Sequence, residues 1–433
     1  MKITRRRFLR NSAITAVGLS FSSPLLDLPA FAAGRRAASS RRAASRLASG
    51  DKVVVALNLF GGNDGLNALV PISQYDRYTE LRPRIAIPRE RLLTLQNAPD
   101  LALNPAMSGL HALYGEGKVA VLPGVGAPHD AYGLFDHEAS QYLFQTGDVT
   151  GSATVEVPSG WVGRWLDSVD EGEVAPGINF GGGGLVLRGR QREALSIESI
   201  ESFQVNPGFD REARAAAYVD IMNMTATAGG VAERNRQLRN QVIHQSEIVR
   251  ERTAGYEPSV EYPVDNYLAD SLRESAMLIA AGIGVRALSV GFDGFDTHAG
   301  QNDGASETEL GYHDYLLHSI SEAITAFYRD LAAHGLAENV LLYVVSEFGR
   351  RPEENNDRGT DHGLGSVAFV VGDAVRGGVY GDHPSLAEED LVLDGNVDAP
   401  TDFRSLYASI LSGFLDVDPV PVLGSSFPIL DFV

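Results

Sequence analysis

The sequence predicts an α/β fold of three layers, in which helices cover both faces of a mostly parallel β-sheet. Two observations support this prediction. Short runs of β-branched residues alternate with longer stretches in which apolar residues recur at helical spacing. The short runs are also apolar almost throughout, which is typical of parallel strands that are buried on both faces and connected through helices.

The individual elements follow from these two patterns. The clearest strands are predicted at residues 53–59, 119–122, 285–290, 340–345 and 366–371. Helices are predicted between and after them, at residues 104–115, 161–169, 266–281, 312–334 and 401–414. Thr401 or Asp402 is expected to cap the last helix, because either residue accepts hydrogen bonds from free backbone N–H groups and both follow Pro400.

A segment from about residue 190 to 262 differs from the rest of the chain. It contains a long charged stretch of helical character at 211–253, interrupted at Gly229 and Gly230. We therefore expect one α/β domain over residues 51–433, with a helical insertion at about 190–262 that lies over the sheet.

The amino terminus has the pattern of a twin-arginine export signal. The basic sequence TRRRFLR precedes a mildly apolar run at 13–28, and the small-residue sequence AFA follows at 30–32. Gly, Ser, Pro and Asp interrupt the apolar run, so it is too broken to span a bilayer. We expect a signal peptide at 1–32, a flexible linker at 33–50, transport by the twin-arginine machinery, and a periplasmic or secreted product without a membrane span.

Composition limits the chemistry further. The chain has no Cys, which excludes disulfides, thiol nucleophiles and thiolate metal ligands, so any metal must be bound through oxygen and nitrogen. The formal charge is -20, and removal of residues 1–32, with five basic residues and one acidic residue, brings it to about -24. This charge argues against a nucleic-acid partner. An anionic substrate needs local positive charge from a metal or from placed arginines.

Polar residues follow three of the predicted strands at the edge where parallel sheets bind ligands. After the first strand, Asp64 lies in the glycine-rich sequence FGGNDGLN and is a candidate ligand, although a tight turn without chemistry is the alternative. After the strand at 285–290, Asp296 and His298 lie two residues apart. In an extended segment both side chains leave the same face and can bind one cation. The alternative is that the aspartate caps the following helix and His298 hydrogen-bonds to a backbone carbonyl.

Acidic and basic residues also follow the strand at 340–345. Glu347 lies at its tip beside Arg350 and Arg351, and a short Asn-rich loop then reaches Asp361 and His362 before the strand at 366–371. Glu347, Asp361 and His362 are expected at the same rim. Arg350 either binds an anionic group or neutralises the carboxylates.

A weaker signal follows the strand at 119–122. Asp136, His137 and Glu138 lie at a predicted helix start, from which they can join the site or remain ordinary exposed residues.

The motifs together resemble a known family. An export signal precedes, in order, NLFGGNDGLNALVP, GWVGRWLD, DGFDTHAGQ and SEFGRRPEENNDRGTDHG. This arrangement resembles the DUF1501 proteins, a bacterial group of unknown function, from about Val53 to the C-terminal helix, and the motif that begins at Ser346 is the most specific. Such proteins are placed with the alkaline phosphatase and sulfatase superfamily. The resemblance implies an α/β/α fold and a metal site of Asp and His residues at strand ends.

The resemblance also implies roles for particular residues. Asp64 matches the early strand-end acid, Asp296 with His298 matches the middle ligand segment, and His362 matches the late histidine. Glu347 stands where the superfamily usually has an Asp-His pair.

Two positions depart from the superfamily pattern. Phe348 occupies the second position of the Asp-His pair, which leaves fewer ligands than a two-metal site needs. The Ser-His-Phe segment of the family corresponds to residues 136–138, which contain no serine nucleophile. A water molecule activated by the cation is then the expected nucleophile.

The leading hypothesis is a hydrolase of small anionic phosphate or sulfate esters in the cell envelope. A divalent cation, Zn, Mn or Ca, is expected to be held by Asp64, Asp296, His298, Glu347, Asp361 and His362. Arg350 is expected to stabilise the anionic transition state, with His137 as a second catalytic residue. A non-catalytic binding protein for a saccharide or lipid headgroup, and an assembly factor that contacts a partner through residues 211–253, are the other hypotheses.

Overall fold

The computed structural model describes residues 51–151, 158–170, 172–203, 230–303 and 310–433. The predicted signal peptide (1–32), the predicted linker (33–50) and residues 204–229 of the predicted insertion lie outside the described residues. Among the residues that are described, we find no helix with the length and apolar composition of a membrane span.

Strands and helices alternate along much of the described chain. The strands are β1 (Val53–Phe60), β2 (Leu69–Pro71), β3 (Leu93–Leu95), β4 (Ala98–Leu103), β5 (Val119–Gly126), β6 (Gly177–Phe180), β7 (Leu195–Ile197), β8 (Ala287–Asp293), β9 (Val340–Ser346), β10 (Gly349–Arg350), β11 (His362–Gly363), β12 (Ser366–Val371), β13 (Gly378–Val379) and β14 (Thr401–Asp402). The α-helices are α1 (Gly65–Ala68), α2 (Tyr75–Leu81), α3 (Ser108–Gly115), α4 (His137–Thr146), α5 (Trp161–Leu166), α6 (Gly230–Thr253), α7 (Tyr267–Ala281), α8 (Tyr312–Ala333), α9 (Phe403–Ser409) and α10 (Pro419–Leu423).

The main sheet has the strand order β13-β5-β12-β9-β1-β8-β6-β7, and β14 pairs with β5. Every pairing is parallel except those of β12, which runs antiparallel to both β5 and β9. The five strands predicted from the sequence form the contiguous centre of this sheet. The predicted α/β class with a mostly parallel sheet is therefore confirmed.

Helices cover both faces of the sheet, because each central strand is apolar on both sides. In β1, Val53, Val55 and Leu57 pack in one core cluster with α7 and α8. Val54 and Ala56 point the other way and pack in a second cluster with α5 and α9. This alternation follows from the two-residue period of a strand, and it produces the predicted three layers.

Several predicted helix starts agree with the observed caps. Asn266 accepts a hydrogen bond from the backbone N–H of Ala269 and begins α7, and Asp402 accepts one from Arg404 and begins α9. The last predicted helix, 401–414, begins two residues later than predicted, at Phe403 after β14, and its final turn at Ile410–Phe414 is π-helical. Within the predicted insertion, α6 places Val249 in the core cluster that contains α7.

The reversed direction of β12 determines which loops meet. Its amino end lies at the same edge of the sheet as the carboxyl ends of β1, β8 and β9. The short strands β10 and β11 pair there, with Arg350 opposite His362. The loop before β12 therefore reaches the loops that follow the parallel strands.

Candidate metal centre

Three histidines surround one aspartate at this edge of the sheet. The Nε2 atoms of His298 and His362 lie 3.1 and 3.2 Å from Asp296 Oδ1, and 3.0 Å from each other. The Nε2 atom of His137, the first residue of α4, lies 3.6 Å from Asp296 Oδ2. Potential ligand atoms of His137, Asp296 and His362 all lie within 4.8 Å of one another.

The other ring nitrogen of each histidine has a fixed partner. The Nδ1 pairs are His298 with Asp361 Oδ1 (3.0 Å), His362 with the Phe135 carbonyl (2.7 Å) and His137 with Glu347 Oε1 (3.1 Å). Histidines that bind a metal almost always donate their second N–H to a carboxylate or a carbonyl, which fixes the ring orientation. All three rings have this arrangement, with Nε2 directed toward Asp296.

The hydrogen bonds also determine where the protons lie. The Phe135 carbonyl can only accept, so Nδ1 of His362 carries the proton and Nε2 of the neutral ring presents a lone pair. Partial burial opposes ionisation of Asp361, but hydrogen bonds from Asn355 and His298 lower the pKa of its carboxyl group. Ionised Asp361 therefore fixes the same tautomer in His298.

The two Nε2 lone pairs then face each other across 3.0 Å. Such a contact is unfavourable unless a proton or a cation lies between the two atoms. Ligand atoms around a tetrahedral zinc ion are about 3.3 Å apart, which is close to the separations of 3.0–3.2 Å among His298 Nε2, His362 Nε2 and Asp296 Oδ1. The residues present therefore fit a divalent cation.

Local electrostatics favour the ionised carboxylate and a neutral His362. Burial opposes ionisation of Asp296, but the hydrogen bond and charge of Arg350 hold the pKa of its carboxyl group below the ordinary value. Burial lowers the pKa of the His362 imidazole, and the positive charge of Arg350 acts in the same direction. By contrast, the hydrogen bond to Glu347 raises the pKa of His137.

Glu347 lies behind the cluster. Its side chain is 2% exposed, and its Oε1 accepts hydrogen bonds from the backbone N–H of Gly61 (2.8 Å) and from His137. Gly61 has φ 113°, and a Cβ at this position would lie 2.3 Å from the backbone nitrogen of Asp296. Glycine therefore allows the loops after β1 and β8 to approach closely, and Glu347 orients His137.

Arg350 connects the loops around the cluster. Its side chain is fully buried, and Nε and Nη1 donate to the Gly62 and Thr360 carbonyls (2.8 and 2.7 Å). Nη2 donates to the Gly61 and Phe295 carbonyls and to Asp296 Oδ1, the last at 2.7 Å. Of the two roles considered for Arg350, this geometry corresponds to neutralisation of a carboxylate. Arg350 has no exposed donor, so it does not make the contact with a transition state that the sequence led us to expect.

Asp64 lies away from the histidine cluster. Its carboxylate is fully buried, forms an ion pair with Arg82 (2.7 Å) and accepts a hydrogen bond from Gln301 Nε2 (2.6 Å). Asp64 also caps α1 by accepting from the Asn67 backbone N–H. Burial opposes its ionisation, but the charges of Arg82 and His313 lower the pKa of the carboxyl group. The structure brings together Asp296, His298 and His362 as predicted, and it does not bring Asp64 to them.

Other residues of the site were not identified from the sequence. Arg82 lies in the sequence ELRPRIA, which contains no motif for its role. Asn355 donates to Asp361 Oδ1 (3.2 Å) and to the His298 carbonyl (2.8 Å). Gln301 belongs to the recognised DGFDTHAGQ motif, but only the structure shows its contact with Asp64. Phe348, which the sequence marks as a departure from the superfamily pattern, packs against His137 and His362, with ring centroids 5.0 and 4.6 Å away.

Comparison with solved structures finds similar proteins of low sequence identity. PsFucS1 sulfatase from Pseudoalteromonas sp. is 12% identical with a TM-score of 0.36, and the match covers 86% of this chain and 68% of that chain. The C-terminal periplasmic domain of EcEptC from Escherichia coli, in complex with Zn, is 10% identical with a TM-score of 0.33 over 75% and 74% of the two chains. A protein in the alkaline phosphatase superfamily from Vibrio parahaemolyticus is 10% identical with a TM-score of 0.34 over 89% and 72%. Similarity at this level does not transfer an activity.

A search of curated proteins finds no match. The family profile described as "Protein of unknown function (DUF1501)" matches residues 156–415. This match includes the segments that carry Asp296, His298, Glu347 and His362. The chain therefore belongs to the DUF1501 family, as the sequence motifs indicate.

Proposed function

We propose that this chain is a metal-dependent hydrolase of phosphate or sulfate esters, with the cation held by Asp296, His137, His298 and His362. The observation that carries the proposal is the convergence of three Nε2 atoms on one carboxylate, while each Nδ1 is held by an acceptor. Three imidazoles favour zinc over calcium, which prefers oxygen ligands, and manganese is the second candidate.

The centre is open to substrate on one side. The side chains of Asp296 and His298 are 48% and 44% exposed, whereas that of Glu347 behind them is 2% exposed. When bound, the cation supplies Lewis acidity and lowers the pKa of water. Asp361, Glu347 and the Phe135 carbonyl hold the three rings in place. Glu347 accepts a hydrogen bond from the Nδ1–H group of His137, and this contact keeps Nε2 of the ring directed toward Asp296.

The composition of the α4 start supports water as the nucleophile. Asp136 caps this helix by accepting from the Ala139 backbone N–H (2.9 Å), and His137 is the first helical residue. The position where the resemblance implies a serine therefore carries no hydroxyl group.

The proposal includes export. The sequence at 1–32 supports transport by the twin-arginine machinery and release into the periplasm or medium, with 33–50 as a linker. A single α/β domain over 51–433 would then carry the site, with the insertion at about 190–262 packed on α7 through α6.

Metal content and esterase activity of the exported protein test the proposal. We expect about one zinc or manganese per chain, and hydrolysis of a generic phosphate or sulfate ester that is lost in Asp296→Ala. Asp293→Ala is the matched control, because Asp293 is an exposed acid in the same segment whose carboxylate accepts from the Gly294 backbone N–H. Metal-free protein that binds an oligosaccharide would instead favour a non-catalytic binding protein.

A further inference from the structure

Phe135 has an unusual backbone conformation shortly before α4. Its φ is 69°, in the left-handed region, where a bulky side chain meets a steric penalty that glycine avoids. The turn that contains it closes with a hydrogen bond from the Asp136 backbone N–H to the Gly133 carbonyl (3.1 Å). Gly133 is also left-handed, with φ 65°. The turn therefore places a phenylalanine where a second glycine would fit with less strain.

The backbone of Phe135 belongs to the candidate metal centre. Its carbonyl accepts a hydrogen bond from Nδ1 of His362 at 2.7 Å. His137 follows two residues later and directs Nε2 toward Asp296. Phe135 thus lies between two of the proposed ligands. This position explains the backbone conformation, but it does not explain the side chain, because glycine would present the same carbonyl.

The hydrophobic core does not account for the Phe135 ring either. The residue is partly exposed, and within the described part of the chain it belongs to none of the three core clusters and pairs with no aromatic ring. The adjacent Leu134, by contrast, packs against the cluster that contains α5 and α9. Phe60 and Phe348 also lie outside the clusters, but Phe60 lies against Gly291 and Phe348 against two histidine rings. The ring of Phe135 is therefore free to contact a bound molecule.

On the basis of the proposed hydrolase function, we infer that Phe135 is a specificity-determining residue, whose ring packs against an aromatic group carried by the ester. Backbone strain of this kind concentrates at functional sites, where the strained residue is used. An aromatic ring prefers stacked or edge contacts with another ring and buries a large apolar area in them. The substrate class is therefore an ester of an aromatic alcohol, in preference to an ester of a small aliphatic alcohol.

Two pairs of non-hydrolysable isosteres test the inference by binding alone. Benzenesulfonate and methanesulfonate resemble sulfate esters, and phenylphosphonate and methylphosphonate resemble phosphate esters. The members of each pair share an acid group and differ in the organic group. We expect the zinc-loaded full-length protein to bind the aromatic member of at least one pair about tenfold more tightly in calorimetry.

Variants at Phe135 check the cause of the preference. Phe135→Gly and Phe135→Ala should each reduce the ratio of the two affinities to about twofold or less, whereas Phe135→Tyr keeps an aromatic ring and should retain it. The zinc affinity of Phe135→Gly, measured by competition with a chromogenic chelator, should be unchanged, because glycine adopts the left-handed conformation and keeps the carbonyl in place.

Leu393→Gly is the matched control. Leu393 also has a left-handed backbone, with φ 46°, and is 38% exposed. The substitution makes the same change of backbone freedom at a residue that contacts none of the proposed ligands, so the affinity ratio should stay at its original value.

The outcomes separate this inference from the hydrolase proposal. Equal binding within both pairs, binding of no probe, or a preference that persists in both Phe135→Gly and Phe135→Ala overturns the inference, and ester hydrolysis can still be measured. A preference that depends on Phe135, without hydrolysis of any ester by the unmodified protein, supports the role of the ring and contradicts the hydrolase proposal.

Discussion

Asp64 and Asp296 follow adjacent strands of the sheet, and each pairs with an arginine, yet they lie in opposite environments. Asp64 is fully buried, and Arg82, Gln301 and the Asn67 backbone N–H occupy its oxygens. Asp296 has a side chain that is 48% exposed, with Arg350 on one side and three imidazoles around it. The same residue type therefore stabilises the fold at one strand end and presents a ligand at the next.

The difference shows what burial does to a carboxylate. A buried charge requires a permanent partner, so the guanidinium of Arg82 neutralises Asp64 from within the chain. An exposed carboxylate can accept an exchangeable cation because solvent stabilises it when the cation is absent.

Gln301 connects the two regions. Its Nε2 donates to Asp64, so its Oε1 is left to accept from the hydroxyl groups of Thr297 (3.0 Å) and Thr360 (2.9 Å). These threonines are adjacent to Asp296 and His298 on one loop and to Asp361 on the other. The buried region thereby holds the two ligand-bearing loops together.

The largest expected effect is on the buried pair. Arg82→Met should lower the free energy of unfolding by about 3–5 kcal/mol, because it leaves Asp64 buried without a counter-charge. Urea denaturation measures the loss. Arg329→Met is the control: Arg329 and its partner Glu116 are 40% and 42% exposed, so the expected loss is about 1 kcal/mol or less. Equal losses in the two variants would show that burial does not increase the contribution of the Arg82 ion pair to stability.

The second prediction concerns the residues that hold the rings. Asp361→Asn and Glu347→Gln should each weaken zinc binding about 10–100-fold without unfolding the protein, because His298 and His137 lose their carboxylate partners. Competition with a chromogenic chelator measures the affinity. Asp357→Asn, an exposed acid of the same loop as Asp361, should bind zinc like the unmodified protein.

A smaller effect is expected where the two regions meet. Thr360→Val removes one of the two hydroxyl groups that donate hydrogen bonds to Gln301 Oε1. The variant should lower the free energy of unfolding by about 1 kcal/mol and weaken zinc binding. Thr360→Ser keeps the hydroxyl group and should retain the zinc affinity. If Val and Ser behave alike in unfolding and zinc titrations, the hydroxyl group has no positioning role.

The smallest effect concerns pH in the metal-free protein. The hydrogen bond to Glu347 raises the pKa of His137, so the stabilisation from this pair is fully present below the unfolded pKa of about 6.5 and is lost as pH rises through the folded pKa. Because the pair is partly exposed, we expect about 1 kcal/mol or less. The unfolding free energy of Glu347→Gln should lack this pH dependence, and NMR titration should show a lower His137 pKa in the variant.

Local sequence signals predicted much of the open region. Runs of β-branched residues indicated the five central strands. Polar residues after β8 identified Asp296 and His298, and the loop that precedes β12 identified His362. Such signals are visible because each depends on a few adjacent residues. Glu347 and Asp361 were expected as ligands at the same rim, and the structure instead pairs them with the Nδ1 atoms of His137 and His298. The sequence does not show which of these two roles a carboxylate has, because that depends on the orientation of the histidine ring.

The buried region could not be predicted in the same way. The pairing of Asp64 with Arg82 depends on how the loop after α2 packs, and nothing in the sequence around Arg82 indicates a partner. The antiparallel direction of β12 is also invisible in the sequence, because a strand buried on both faces is apolar in either direction. That direction nevertheless brings His362 to the site.

X-ray absorption spectroscopy of the exported, zinc-loaded chain tests the metal centre most directly. We expect one zinc per chain with three imidazole ligands and one carboxylate, at about 2.0–2.2 Å. His298→Ala and His362→Ala should each remove one imidazole from the spectrum or release the metal, and Asp64→Asn should leave the ligand set unchanged if the variant folds. A protein without zinc, or a zinc spectrum that neither histidine variant changes, would contradict the assignment of this cluster as a metal centre.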